Sequence, residues 1–266
     1  MAWPARPEIM YDGPGFLSSS EIAPKSRYEL HDGHPIYCAP TGGDGARTTI
    51  SGAEVLDTDP AVEEAGIDAG FSPTPGMLRA PDVAVGNVPD KMGWIEGVPP
   101  LAVEYAGSGQ NERGLQEKIQ DLLGAGTQLV WVVRLVGPRR VEVYERNKPV
   151  RTVGPGGELS APGILRNTLP VEAFYDRGTA HRLTLRNLLQ RQGYESLDDV
   201  RAEGREEGRE EGREEGHDEG RRTAVRDLCE AFGIALGPER EGQIAALRGP
   251  ALDELRARLK RDRRWE

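Results

Sequence analysis

A mixed α/β fold, one sheet flanked by few helices, is predicted by three observations in this 266-residue chain. Short apolar runs recur at strand length, with Leu129-Val-Trp-Val-Val133 the clearest. One segment, about Glu112 to Gly124, repeats its apolar residues at helical spacing. The order of elements is hairpin, helix, three strands, helix and two or more strands, which suits a sheet with helices packed on it.

The elements follow in order. Residues 1–25 are rich in Pro, Gly and Ser and read as an irregular lead-in. Tyr28 to Tyr37 forms a hairpin around the turn dipeptide Asp32-Gly33. Residues 44–64 are ambiguous: Ala53, Val55 and Leu56 allow a short helix, which Asp59-Pro60 interrupts. Ile67 to Phe71 is a weak strand, and Ser72-Pro-Thr-Pro-Gly76 a turn. Arg79-Ala-Pro-Asp-Val-Ala-Val85 and Leu101-Ala-Val-Glu-Tyr105 are the next two strands. In the helix after them, Leu115, Ile119, Leu122 and Leu123 make one apolar stripe, with Gly124 and Gly126 as stop signals. Gln128 to Leu135 is a buried strand by composition, and Val141 to Glu145 alternates as its neighbour. Residues 149–180 add short extended pieces, so the main domain is placed at 26–180.

A different texture begins near Asp198. Gly204, Gly208, Gly212, Gly216 and Gly220 recur every four residues within Arg-Glu-Glu-Gly repeats. Each glycine costs a helix about 1 kcal/mol relative to alanine. Glu-to-Arg pairs three apart return only about 0.2–0.5 kcal/mol each. Residues 181–222 are thus a charged helix or linker, and a small-residue stripe of this spacing permits self-association through residues 201–222. Three amphipathic segments, Ala224 to Phe232, Arg240 to Leu247 and Ala251 to Leu259, predict a small helical unit over 223–266.

Composition narrows the function classes. The net charge of -10 speaks against a strongly basic nucleic-acid binder, and residues 201–266 do not reverse it, with 15 basic and 17 acidic side chains. No apolar stretch approaches the roughly 20 residues needed to cross a bilayer, and no membrane partner is expected. The N-terminal residues lack the apolar core of a secretory signal. Cys38 and Cys229 lie too far apart in sequence for a metal-ligand spacing. A reducing, cytoplasmic compartment is expected.

Chemistry concentrates in two carboxylates and a lysine. Strand side chains alternate faces. Asp82 therefore shares a face with Ala84, and Glu104 with Ala102 and Ala106, small neighbours that leave room for a metal ion and a substrate. Lys118 lies three residues after Leu115 and four before Leu122, on the shoulder of the apolar stripe, where its ammonium can reach the sheet edge. Two carboxylates on adjacent strands are hard ligands for Mg²⁺ or Mn²⁺. A lysine beside them can stabilise charge on a phosphoryl group. The set suits hydrolysis of phosphodiesters.

These motifs resemble the Uma-two (Uma2) family, restriction-type endonucleases within the PD-(D/E)XK nuclease superfamily. The resemblance rests on Arg79-Ala-Pro-Asp-Val-Ala-Val85, Pro100-Leu-Ala-Val-Glu104, Leu115-Gln-Glu-Lys118, Gly126 and Val130-Trp-Val-Val133, and on the hairpin from Tyr28. It spans roughly residues 26–175. It implies a restriction-endonuclease-like sheet, metal ligands at Asp82 and Glu104, and a relocated catalytic lysine at Lys118. The superfamily's usual position for that lysine is held here by Ala106. The run ending at Asp44 resembles the family's first-helix entry, which makes Asp44 a further metal candidate. A Mg²⁺-dependent endonuclease acting on DNA is the expected function. Gly107-Ser108-Gly109 and Gly114 stand where the family carries Ser-Pro-Ser and an acid. They leave open an alternative, a nuclease-fold protein without catalysis that acts as a binding or assembly module through its C-terminal helical region.

Simpler roles stand beside these. Asp44 suits an N-cap, and Glu29 a solvated hairpin residue. Lys118 could cover the core edge with its stem. Trp131 and Tyr144 suit the core. His31, His34, His181 and His217 show no spacing that marks a site.

Overall fold

The computed structural model describes residues 16–265, so residues 1–15 of the expected lead-in lie outside the described residues. Residues 16–25 are irregular apart from one 3-10 turn, Ser19–Glu21. The chain divides into two compact units, residues 1–195 and 196–266.

The first unit opens with the hairpin, β1 (Tyr28–His31) and β2 (His34–Tyr37). Asp32 and Gly33 both take positive φ, 47° and 75°, as a two-residue turn of this hand requires. Helix α1 (Gly43–Asp57) follows. At 15 residues it is longer than the short helix expected from so polar a segment, because Ala53, Val55 and Leu56 bury one stripe against the sheet. Strand β3 is Ala65–Ile67, not Ile67 to Phe71. Phe71 instead bridges Arg79 and Ile95 and is fully buried in a small separate cluster with Ala84 and Ile95.

Then come β4 (Val83–Val85), β5 (Leu101–Ala106), α2 (Glu112–Ala125), β6 (Leu129–Arg134), β7 (Arg140–Glu145) and β8 (Arg151–Val153). Strands β3 to β8 form one sheet in sequence order. Every neighbouring pair is antiparallel except β5 and β6, which are parallel because α2 returns the chain between them. A two-stranded ribbon, β9 (Glu158–Leu159) with β10 (Leu169–Pro170), completes the strands. Both faces of the sheet are covered. Leu101, Val103 and Tyr105 point into a core shared with α1, and Ala102 and Ala106 into one shared with α2. Gly52 of α1 lets the helix approach closely: a Cβ there would come 2.0 Å from Tyr105 Oη.

Helix α3 (Arg177–Arg191) runs through the boundary expected at residue 180. Its polar residues tie it to the first unit. Fully buried Asn187 donates to Val55 O at 3.0 Å, and Arg191 donates to the carbonyls of Asp57, Thr58, Asp59 and Val62. The carbonyls of Val55, Asp57 and Thr58 close α1, where a helix end leaves acceptors unpaired. Such contacts carry no hydrophobic period, so sequence patterning does not reveal them.

In the second unit the glycine repeat is helical throughout, within α4 (Leu197–Ala231), 35 residues long. A capping box at Ser196 and Asp199 starts it, and exposed pairs such as Arg209–Glu206 and Arg213–Glu210 line it. Its last turns are held by packing. Val225 and Cys229 join Ile244 of α5 (Pro238–Ala246) and Leu252, Leu255 and Leu259 of α6 (Pro250–Asp262). Arg222 donates to Leu247 O at 3.1 Å, and Asp218 accepts from the Gly249 amide at 2.9 Å. No helix among the described residues is long and apolar enough to cross a membrane.

Candidate active site

Asp82 sits one residue before β4 rather than within it. The register pairs Val83 with Val103, and its next step sets Asp82 opposite Glu104 on β5. The Tyr105 amide donates to Asp82 Oδ2 at 2.6 Å and fixes that carboxylate. Glu104 lies on the face shared by Ala102 and Ala106, whose small side chains let Leu115 and Ile119 of α2 close over the sheet. Ala106 is itself buried in that packing, and Lys118 approaches Glu104 from the helix side.

Lys118 turns inward, with only 12% of its side chain exposed. Its Nζ donates to Ala80 O at 2.7 Å, and lies 2.8 Å from Glu104 Oε1 and 2.9 Å from Glu29 Oε1. Glu104 Oε1 receives no well-aimed hydrogen bond, so its contact with Lys118 is chiefly an attraction of charges. The covering of the core edge by an aliphatic stem does not describe this residue: the ammonium itself is buried among acids.

Glu29 is not the solvated hairpin residue expected. It is 7% exposed, accepts from Arg79 Nη1 at 3.0 Å and from the Ala80 amide at 3.2 Å, and faces Lys118. Arg79, 1% exposed, also donates through Nε to Asp121 Oδ2 at 2.8 Å, and that oxygen meets His31 Nδ1 at 2.8 Å. Polar contacts thus run continuously from His31 through Asp121, Arg79 and Glu29 to Lys118 and Glu104. A short strand with polar and apolar residues interleaved says nothing of the cleft its hairpin will cover. The signal available for Glu29 was its place within the family-like Tyr28 hairpin.

The electrostatics follow from burial. Burial pushes the Glu104 carboxyl up to about 8, repulsion from Asp82 and Glu29 adds to this, and Lys118 opposes it. Asp82 is raised by burial against the pull of Lys118. Burial alone would lower Lys118, but Glu104, Glu29 and Asp82 outweigh it and hold the ammonium above its usual range. Burial would raise Glu29, yet Lys118 and Arg79 keep it below its ordinary value. Lys118 is therefore the standing cation, and Glu104 the group that titrates near neutrality.

Among the described residues no three His, Cys, Asp or Glu side chains converge as a ready metal cluster. The donor set still fits a hard divalent cation. The carboxylates of Glu29, Asp68, Asp82 and Glu104 outnumber Lys118 and Arg79, and Asp82 and Glu104 are held above their ordinary pKa first by burial and then by repulsion from neighbouring acids. Magnesium in particular binds through one or two carboxylates and keeps several waters. Asp44 does not join them. It is exposed in the first turn of α1, whose N-cap is Gly42 with no side-chain cap bond, so it is neither the cap nor part of the cleft wall. Trp131 is fully buried, and Tyr144 Oη bonds Glu142 and Gln116.

Glu29, Asp82 and Lys118 line a cavity of about 450 Å³, and Glu104 meets the lysine without lining it. Its walls come from residues 25–29 and 38–41, from Asp68 and Gly70, and from Trp94.

Comparison with known proteins adds family information. The Uma2 model, described as "Putative restriction endonuclease", matches residues 16–172. The chain is similar to a crystal structure of "a putative nuclease belonging to DUF820" from Anabaena variabilis, with 17% identity, 57% of this chain and 90% of that chain covered, and a TM-score of 0.49. A search of curated proteins gave no match.

Proposed function

Because this chain belongs to the Uma2 family of nuclease-fold proteins, we propose that it is a metal-dependent endonuclease hydrolysing DNA phosphodiester bonds. The observation that carries the reading is the meeting of Asp82, Glu104 and Lys118 beside one cavity, which Asp82 and Lys118 line. Asp82 and Glu104 would hold Mg²⁺ or Mn²⁺, which when bound supplies an acidified water and polarises the phosphoryl oxygens. Asp82 is oriented in advance by the Tyr105 amide. Lys118 offers a fixed positive charge to the phosphoryl oxygen on which charge develops, at no cost of reorganisation. Burial of the site strengthens that attraction.

A second reading, a nuclease-fold protein that binds without cutting, is favoured by the engagement of Lys118 with Ala80 O, Glu29 and Glu104. In it residues 201–222 would serve assembly, which sedimentation of the full chain against a chain lacking α4 to α6 tests by mass. Free Cys38 and Cys229 suit a reducing compartment, in keeping with a cytoplasmic enzyme. Supercoiled plasmid incubated with Mg²⁺ or Mn²⁺ separates the two readings. Nicking by the wild type that is lost in Asp82→Ala and Lys118→Ala supports the enzyme; equal background in all three sinks it.

A further inference from the structure

We infer that the cavity above the carboxylates receives a single unstacked nucleotide, so that the DNA taken by this site is an unpaired or locally opened strand rather than intact duplex. The inference rests on the nuclease reading of the same site and adds the form of the substrate.

The first support is depth. Asp82 and Lys118, the latter with 12% of its side chain exposed, line a concave space of about 450 Å³, and Glu104, 9% exposed, lies 2.8 Å from the lysine. Pockets of roughly 300–1,000 Å³ hold one small molecule, and a nucleotide is of that class. A stacked duplex is a convex rod too broad to enter a space of this size, whereas one unpaired nucleotide fits it.

The second support is the chemistry of the walls. Tyr28 and Trp94 both line the cavity and are only half-buried. Trp94 is fixed in advance: its Nε1 donates to Ser19 O at 2.9 Å, and its ring rests on Gly70, where a Cβ would come 2.6 Å away. Rigid aromatic walls of this kind bind bases of any sequence by their faces. Lys25 and Arg27 at the rim are exposed and have no ion-pair partner among the described residues. They suit the phosphates of the neighbouring nucleotides, while the inserted nucleotide's own phosphate lies toward Asp82 and Lys118. In a chain of net charge -10, a local pair of free cations beside aromatic walls makes stacking, rather than a broad basic surface, the means of holding the strand.

The test measures binding to the full-length protein without divalent ion, so that it does not depend on cleavage. Fluorescence anisotropy would compare a short oligothymidylate, an abasic strand of the same length and charge, and a perfect duplex. The expected result is that the oligothymidylate binds about ten-fold or more tighter than the abasic strand, and also tighter than the duplex. Trp94→Leu and Tyr28→Leu should each reduce the first ratio, and the abasic comparison serves where a variant fails to fold. Equal binding of the abasic strand, or tighter binding of the duplex, overturns the inference. Plasmid nicking by a protein that ignores bases would leave the nuclease reading standing. Base-dependent binding with no nicking would do the reverse.

Discussion

Lys118 Nζ and Glu104 Oε1 stand 2.8 Å apart, the first brought by α2 and the second by β5. Glu104 therefore stands between the lysine and Asp82. Replacing it with glutamine keeps the shape and holds the group neutral at every pH. Glu104→Gln should abolish nicking and the thermal shift produced by Mg²⁺, while leaving the melting temperature in chelator unchanged or raised. An ion-induced shift equal to that of the wild type would take Glu104 out of the metal site.

The raised Glu104 carboxyl sets a pH dependence. Its pKa is about 8 in the folded chain against an ordinary 4.5. Between these values the folded state holds a proton that the unfolded state has lost, so this group's contribution to stability is full below about 4.5 and declines as pH rises through about 8. Metal binding needs the ionised form and runs the other way. Affinity for Mg²⁺, followed by calorimetry, should rise from pH 6 to about pH 8.5 and then level off. A flat profile would contradict the assignment.

Glu29 holds Arg79 and Lys118 together inside the unit. Removing one partner from a buried charge network costs about 3 kcal/mol, because the other is left unpaired. Glu29→Gln should lower stability by about that amount in urea unfolding. It should also lower activity at temperatures where the variant remains folded, because Lys118 loses one of its two carboxylate neighbours. Full activity with reduced stability would confine Glu29 to a structural role.

Helix α3 supplies the groups that close α1. A chain ending at residue 195 retains Asn187 and Arg191 and should unfold cooperatively, whereas one ending at residue 180 should lose that transition or show it at much lower urea. Identical midpoints for the two chains would show that α3 is dispensable.

What the sequence disclosed follows from what repeats along it. The apolar stripe of α2 and the runs of β5, β6 and β7 bury one face or both, and burial imposes a period. Lys118 was legible because its offset from Leu115 and Leu122 fixes its direction on the helix. Glu29, Arg79 and Asp121 were not, since they meet across 42 to 50 positions through side-chain charge alone, without a period or a spacing. The length of α1 was hidden for a related reason. Its C-terminal end is satisfied by Asn187 and Arg191 from a distant helix as well as by its own cap residue Thr58.

Asp59 has a consequence for how the protein is made. Its carboxylate is fully buried and accepts from the amides of Ala61, Arg166 and Asn167, the last two more than a hundred positions downstream. A chain emerging from the ribosome has synthesised Glu29, Asp82, Glu104 and Lys118 well before those amides exist. Until residue 167 is out, and Arg191 after it, closing the unit would bury an acid with too few donors. Closure of this buried acid cluster is therefore expected to wait until the last helix of the unit is complete.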